Sequence, residues 1–180
     1  AVEYIKGLQG KDDKYLKAIA SPKHFVANNV DGDRHFTNSK IDDKILRDYY
    51  FPAFKSSIVE GKAQGLMSAY NSLNGVPCSS NDFLLNNILR NEWGFKGTVM
   101  TDWFGGGDTV ESIKAGNDLI EPGTSKVLED LEKGLENQKL SENDLNIAAS
   151  RILKLILRSN KMNNSKNDNS PDLEYHAEIV

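Results

Sequence analysis

Hydrophobic positions fall along the chain in short runs separated by longer amphipathic stretches. Tyr15–Ala20 reads as a strand that leaves its sheet at Ser21–Pro22, with Lys23, His24 and Phe25 following in the exit. Asn28 to Ile41 is rich in Asn, Asp and Gly and predicts a long loop. Ile45, Leu46, Tyr49, Tyr50, Phe54 and Ile58 recur at helical spacing. They predict a helix over Asp43–Glu60, capped by Asp42 and kinked or split at Pro52. Gly65–Tyr70 reads as the next strand, followed by a turn over Asn71–Gly75.

The alternation continues. Asn81 is the expected cap of a helix over Asp82–Trp93, with the stripe Phe83, Leu84, Ile88, Leu89 and a stop at Gly94. Thr98–Asp102 is a β-branched run between Gly97 and a turn at Gly105–Gly107. A short helix over Thr109–Ala115, capped by Asp108, ends at Gly116. Asp118–Glu121 is the fourth strand, stopped by Pro122–Gly123. Helices follow near Ser125–Glu136 and Glu142–Arg158. Ser141 caps the second, and Leu145, Ala148, Ile152, Leu155 and Ile156 form its apolar face. Residues 160–169 are polar and of low complexity and read as a linker; Pro171–Val180 begins a further element.

Short apolar strands alternating with amphipathic helices predict the α/β class with parallel strands. Four such units fit part of a (β/α)8 TIM-type barrel, or a small open α/β sheet. A TIM barrel takes about 250 residues and eight strands, so these 180 residues are read as about half of one. Unpaired strand edges would then be completed by a partner chain or a second copy. The expected division is a partial barrel over 1–158 and a segment leading out of it over 159–180.

Composition narrows the classes. Lys+Arg 22 against Asp+Glu 26 gives a net charge of −4, which offers no footprint for nucleic acid or an anionic membrane. A hydrophobic fraction of 38% with 27% charged residues fits a soluble globular chain. No apolar run approaches the roughly 18 residues of a membrane span. The single cysteine, Cys78, excludes an internal disulfide framework and a Cys-based zinc site, and no metal or cofactor is expected. The start lacks a signal-peptide pattern, but an export signal would precede Ala1; the compartment stays open, with the cytoplasm favoured.

In α/β barrels functional residues lie at the C-terminal ends of strands. Here those ends carry Lys23–His24, Tyr70–Asn71, Asp102–Trp103 and Glu121. A carboxylate ending an apolar strand is costly to desolvate unless it is hydrogen-bonded or works on a ligand. The set suits a sugar. Trp103 offers an aromatic face to ring C–H groups, Lys23, His24 and Arg34 offer hydrogen-bond donors, and Asp102 offers a nucleophile or base. A retaining glycosidase needs two carboxyl groups about 5–5.5 Å apart, one of them an ionised nucleophile.

Longer strings carry a resemblance. "KHFVANNVDGDRHF", "LRDYYFPAFKSSI", "GLMSAYNSLNGVPCSSNDFLLNNILRNEWGFKGTVMTDW" and "KAGNDLIEPG" occur in the order, and with the content, of glycoside hydrolase family 3 of β-glucosidase type. The likeness runs from about Val2 to Arg158, and "SPDLEYHAEIV" resembles the family's exit from the barrel. It implies the C-terminal half of the catalytic barrel and hydrolysis of terminal β-D-glucosyl residues, from a β-glucoside or oligosaccharide, by retaining double displacement. It implies Asp102 as nucleophile, and Lys23, His24, Arg34, Met67, Tyr70 and Trp103 as sugar-binding residues. The family's early barrel loops, which supply an Asp and an Arg to the sugar subsite, have no counterpart in these residues. Nor has the acid/base Glu, which comes from a second domain in β-glucosidase-type members. The chain is therefore read as a fragment that holds the nucleophile and is inactive alone. The segment "VANNVDGDRHF" fits the glucosidase branch; the N-acetylglucosaminidase branch places its acid/base His in this loop, where His35 stands.

Several residues have plainer readings. His35 is read as a loop residue, His176 as incidental, Trp93 as core, Cys78 as buried or in a loop, and Glu121 as holding a strand end ahead of any role as a second carboxylate. Gly105–Gly107 lacks the Lys–Ser/Thr of a phosphate loop and is read as a turn. Two alternatives to the hydrolase remain: a non-catalytic half-barrel that binds sugar or assembles with a partner, and an open sheet that binds phosphate or nucleotide.

Overall fold

The computed structural model describes residues 1–105, 107–163 and 173–178. Of the expected linker over 160–169, positions 164–169 lie outside these residues, and so do 171, 172, 179 and 180 of the tail over 171–180 and the side chain of His176. Within them, Asn160–Asn163 forms one 3₁₀ turn and Leu173–Glu178 a short helix.

The centre is a row of parallel extended segments. Strand β2 (Gly65–Ser68) pairs in parallel with β5 (Thr98–Thr101), Gly65 opposite Thr98 and Ser68 opposite Thr101. On one side β2 is bonded to residues 20–25: Gly65 N donates to Ala20 O at 3.0 Å, and Phe25 N to Met67 O at 2.9 Å. On the other side β5 is bonded to residues 118–119: Asp118 N donates to Val99 O at 2.8 Å, and Thr101 N to Leu119 O at 3.0 Å. The order in space follows the order in sequence, and helices fill the intervals, which is an α/β arrangement.

The first strand is displaced from its expected place. Pairing with β2 begins at Ala20 and runs through Pro22 to Phe25, whereas Leu16, inside the expected Tyr15–Ala20 strand, bridges Ser159 instead. Pro22 does not break the ladder because it only has to accept there; its carbonyl takes the Met67 N–H at 3.1 Å. A second, small sheet joins the loops: β1 (Asn38–Ser39) runs parallel to β3 (Ser72–Leu73), which pairs antiparallel with β4 (Val76–Pro77). Asn74 (φ 51°) and Gly75 (φ 91°) form the two-residue hairpin turn, both left-handed as such a turn demands.

Pro52 splits the long helix as expected. Asp43–Ile45 is α-helical, with Asp42 accepting the Ile45 N–H. Leu46–Tyr50 widens to a π-helical turn, and a new α-helix begins with Pro52 and runs to Val59. The helix over Phe83–Glu92 is also π-type, capped by Asn81 Oδ1 on Leu84 N at 3.2 Å and ended before Gly94 (φ 70°). Asp108 caps Thr109–Lys114. Ser141 and Asp144 cap Glu142–Leu157 reciprocally, two orphan donors being satisfied at once. On that last helix Ala148 is buried, but Ile156, expected on the inner face, is exposed. The inner face is marked by Ala148 and by Arg151, whose guanidinium bonds Asp118, and Ile156 lies off that line. The helix Val2–Gln9, with Val2, Ile5 and Leu8 spaced three apart and Ile5 buried, adds to the expected elements. It is held by Gln9, whose amide donates to Lys62 O and accepts from Gln64 N.

Phe25, Phe51, Phe54 and Trp93 form an aromatic knot beneath the strands, with Phe25 at 5.0 Å from Phe54 and 5.7 Å from Trp93 between ring centroids. Leu66 and Val99, opposite each other in register, are fully buried with them. Gly97 permits the close approach of β5 to its neighbour, since a Cβ there would stand 2.1 Å from Gln64 O.

A buried carboxylate ties the helices to β5. Asp118 Oδ2 accepts from Arg90 Nη2 at 2.8 Å and from the Val99 amide at 2.8 Å, and Oδ1 accepts from Arg151 Nη1 at 2.9 Å. Its side chain is 0% exposed, and that of Arg90 is 8%. Removing one partner of a buried pair strands the other charge, at a cost of about 3–5 kcal/mol. Asp118→Ala is therefore expected to lower stability by about that amount in urea unfolding. Arg151→Ala, at a side chain 26% exposed, is expected to cost less. Equal and small losses in both variants would contradict the clamp.

Candidate functional site

The site begins with alternation along an extended segment. Successive side chains point to opposite faces, so with Phe25 sunk into the aromatic knot, His24 is turned the other way, toward the exit of β5. Asp102 follows the last residue of β5, and its Oδ2 lies 3.1 Å from His24 Nε2. Oδ1 accepts the Trp103 backbone N–H at 2.8 Å. The Asp102 side chain is 13% exposed and that of His24 29%, so the carboxylate is partly shielded yet reachable.

Tyr70, just past β2, brings its hydroxyl to the same carboxylate. Burial first, and then the interaction with Asp102, hold its pKa above the ordinary tyrosine range, so it stays protonated and can donate. Burial pulls the His24 pKa below its ordinary value. Asp102 opposes that shift, while the charges of Lys23 and Arg34 add to it. At neutral pH His24 is accordingly an uncharged imidazole beside a carboxylate.

The loop after Asn28 returns over Tyr70. The Arg34 guanidinium stands 5.1 Å from the Tyr70 ring centroid and is paired with Asp31 at 3.0 Å. The His35 ring lies 4.1 Å from that of Tyr70. His24, Arg34, Tyr70 and Asp102 are thus brought together. Lys23 is exposed beside them and acts on His24 through its charge. Met67 lies opposite Met100 in register, both half-buried. The Trp103 indole is 58% exposed, edge-on to Phe104 at 6.3 Å. Glu121 donates its N–H to Thr101 Oγ1 at 2.8 Å and accepts from Phe104 N at 3.2 Å, in keeping with a strand-end role.

Residues without a chemical signature in the sequence hold this arrangement. Asn71, fully buried, donates through Nδ2 to Val26 O at 3.1 Å, and the Cys78 thiol reaches the same carbonyl at 3.6 Å. Ser39 Oγ donates to Ala27 O at 3.0 Å. Together they fix the corner at Val26–Ala27, where Ala27 has φ 60°, just beyond His24. Burial pushes the Cys78 thiol up to about 11, so it is a packing group and not a nucleophile. Adjacency to Tyr70 is the sole sequence signal for Asn71. Among the described residues no cluster of His, Cys, Asp and Glu is arranged to hold a metal ion, and no helix is long and apolar enough to cross a membrane.

Comparison with known proteins gives a consistent result. The chain is 38% identical over 178 residues to a β-glucosidase of Rhizobium radiobacter, covering 98% of this chain and 20% of the relative. It is 37% identical to thermostable β-glucosidase B of Acetivibrio thermocellus, covering all of this chain and 23% of the relative. The structure superposes on β-glucosidase 3B of Thermotoga neapolitana in complex with glucose with a TM-score of 0.86 at 40% identity, over 90% of this chain and 24% of that one. The chain thus spans about a fifth to a quarter of the length of these proteins. Residues 1–155 match the glycosyl hydrolase family 3 N-terminal domain, and the chain belongs to that family.

Proposed function

We propose that this chain carries the nucleophile half of a retaining β-glucosidase. In this reading the parallel segments are part of a (β/α)8 barrel, its C-terminal half, over residues 1–158, and 159–180 lead out of it. The single observation that carries the reading is the convergence of His24 and Tyr70 on the Asp102 carboxylate at the end of β5. The β-glucosidase names of its relatives support a β-glucoside as the substrate class, and the residue cleaved in this reading is a terminal non-reducing β-D-glucosyl unit.

Asp102 attacks the anomeric carbon, the glycosidic C–O bond breaks, and a glycosyl ester forms on the carboxylate through an oxocarbenium-like transition state. Water then cleaves the ester and releases glucose with retained configuration. The Trp103 N–H fixes the carboxylate's orientation through Oδ1. Neutral His24 and protonated Tyr70 flank it without a net positive charge of their own, and their displaced hydrogen bonds are available to the sugar. Lys23 and Arg34 bind hydroxyls, Met67 forms part of the subsite wall, and Trp103 covers the ring's C–H face. The general acid is assigned to no residue of this chain.

That division of labour is testable. A 2-deoxy-2-fluoro-β-D-glucoside with a good leaving group needs little acid assistance, and is expected to label Asp102 covalently in peptide mapping by mass spectrometry. Asp102→Asn is expected to abolish the label; a label on any other carboxylate overturns the assignment. General acids contribute roughly 100- to 10,000-fold. The chain alone is therefore expected to hydrolyse cellobiose more slowly than an activated aryl glucoside by at least about that factor, compared by glucose release and chromophore release.

The charge balance at His24 gives a second check. Its NMR titration is expected to have a midpoint below 6.5, the ordinary value, because burial disfavours the imidazolium. Since the folded pKa lies below the unfolded one, the contribution of neutral His24 to stability is present above pH 6.5 and is lost as pH falls through the folded midpoint. Asp102→Asn removes the one large influence that raises the pKa, so the midpoint is expected to fall further. A midpoint that rises in this variant would contradict the geometry.

A further inference from the structure

The turn that follows Asp102 holds a residue that backbone chemistry alone would not select. Gly105 N donates to Asp102 O at 2.9 Å, closing a four-residue turn with Trp103 and Phe104 at its centre. Phe104 has φ 58°, in the left-handed region. The third position of such a turn favours Gly or Asn, because a Cβ is crowded there. Glycines follow immediately in the sequence, yet this position carries a phenylalanine. Its ring is also 64% exposed to water, so burial does not offset the backbone cost. Two unfavourable features therefore meet in one residue, two positions from the carboxylate. Strain of this kind, where it persists, points to a use for the side chain.

The surroundings suggest the use. The groups around Asp102 divide by polarity. Lys23, His24, Arg34 and Tyr70 are polar and suit a hydroxyl-rich ring. Trp103 and Phe104, one and two positions beyond the carboxylate, stand edge to face at 77° and are both exposed, an open apolar corner. A glycoside offered to this site has the same two halves, a polar sugar and whatever is attached to its anomeric carbon. We propose that Phe104 is a specificity-determining residue whose ring receives the group attached to the sugar, and that it favours glucosides with an aromatic or apolar substituent over those with a small one. This rests on the sugar site proposed above and adds to it the class of leaving group.

The test uses the full 180-residue chain and two glucosides that resist hydrolysis, phenyl and methyl 1-thio-β-D-glucopyranoside, with binding followed by calorimetry. Ring packing of this kind supports a preference of about three- to tenfold. The wild-type chain is expected to bind the phenyl compound more tightly by about that ratio. In Phe104→Gly the ratio is expected to fall to about one. Glycine suits the left-handed φ, so thermal unfolding of this variant should occur at the same temperature or higher, which separates lost contact from lost fold. Phe104→Leu keeps an apolar side chain and is expected to retain part of the preference. A ratio unchanged in Phe104→Gly, or a wild-type ratio of one with methyl compound binding intact, overturns the role of Phe104 and leaves the sugar site standing. Failure of the wild-type chain to bind either glucoside overturns the sugar site itself, and this inference with it.

Discussion

A buried carboxylate with two guanidinium partners is the constraint from which the rest of the architecture follows. Desolvating Asp118 would cost several kcal/mol if it were unpaired, and it is shielded by Arg90 from one helix, Arg151 from another and the Val99 amide from β5. Three elements distant in sequence are thereby fixed to the same strand. From Val99 the chain has only two residues to run before Asp102. Over those residues Thr101 is bonded through its amide to Leu119 and through its hydroxyl to Glu121. The position of the candidate nucleophile is thus set by interactions that never touch a substrate.

The neighbouring segment is fixed in a different way. Phe25 is locked by aromatic packing, and the corner after it by side-chain hydrogen bonds from Asn71, Cys78 and Ser39. Polar groups buried beside an apolar core are tolerated here because they satisfy carbonyls that leave the ladder. A similar seam lies between β2 and the chain just before Asp118, where Ser68 Oγ donates to Asn117 Oδ1 at 3.3 Å and Asn117 Nδ2 donates to Ser79 O. Rigid backing on both sides means that His24 and Asp102 need not be held to each other by a strong ion pair. Their contact is between a neutral imidazole and a carboxylate, which leaves both free to exchange partners when a ligand enters.

Beyond this rigid backing the site is open. The loop carrying Arg34 and His35 rests on Tyr70 through ring contacts, and Trp103 and Phe104 project into solvent. Donors gather around Asp102 from the Lys–His segment and Tyr70, while the exposed aromatic surface comes from the turn that follows it.

The sequence by itself determined the elements and the chemistry of their ends. Periodicity and caps placed the helices, including the break at Pro52 and the caps at Asn81, Asp108 and Ser141, because these depend on local hydrogen bonds and on an imino acid without an N–H. The motif strings pointed to family 3 and to Asp102 with its neighbours. Tertiary structure decided what local pattern does not encode. The extended segment beside β2 starts at Ala20 because partners in β2, and not the apolar run Tyr15–Ala20, choose the register. Val2–Gln9 is docked where it is because Gln9 finds its bonds far along the chain. The pairing of Arg90 and Arg151 with Asp118 has no local signal, because it forms only when folding brings the three together. Phe104 reads as one more aromatic until the turn forces its backbone into the left-handed region. Long-range pairing and burial are properties of the assembled chain, and no window of neighbouring residues contains them.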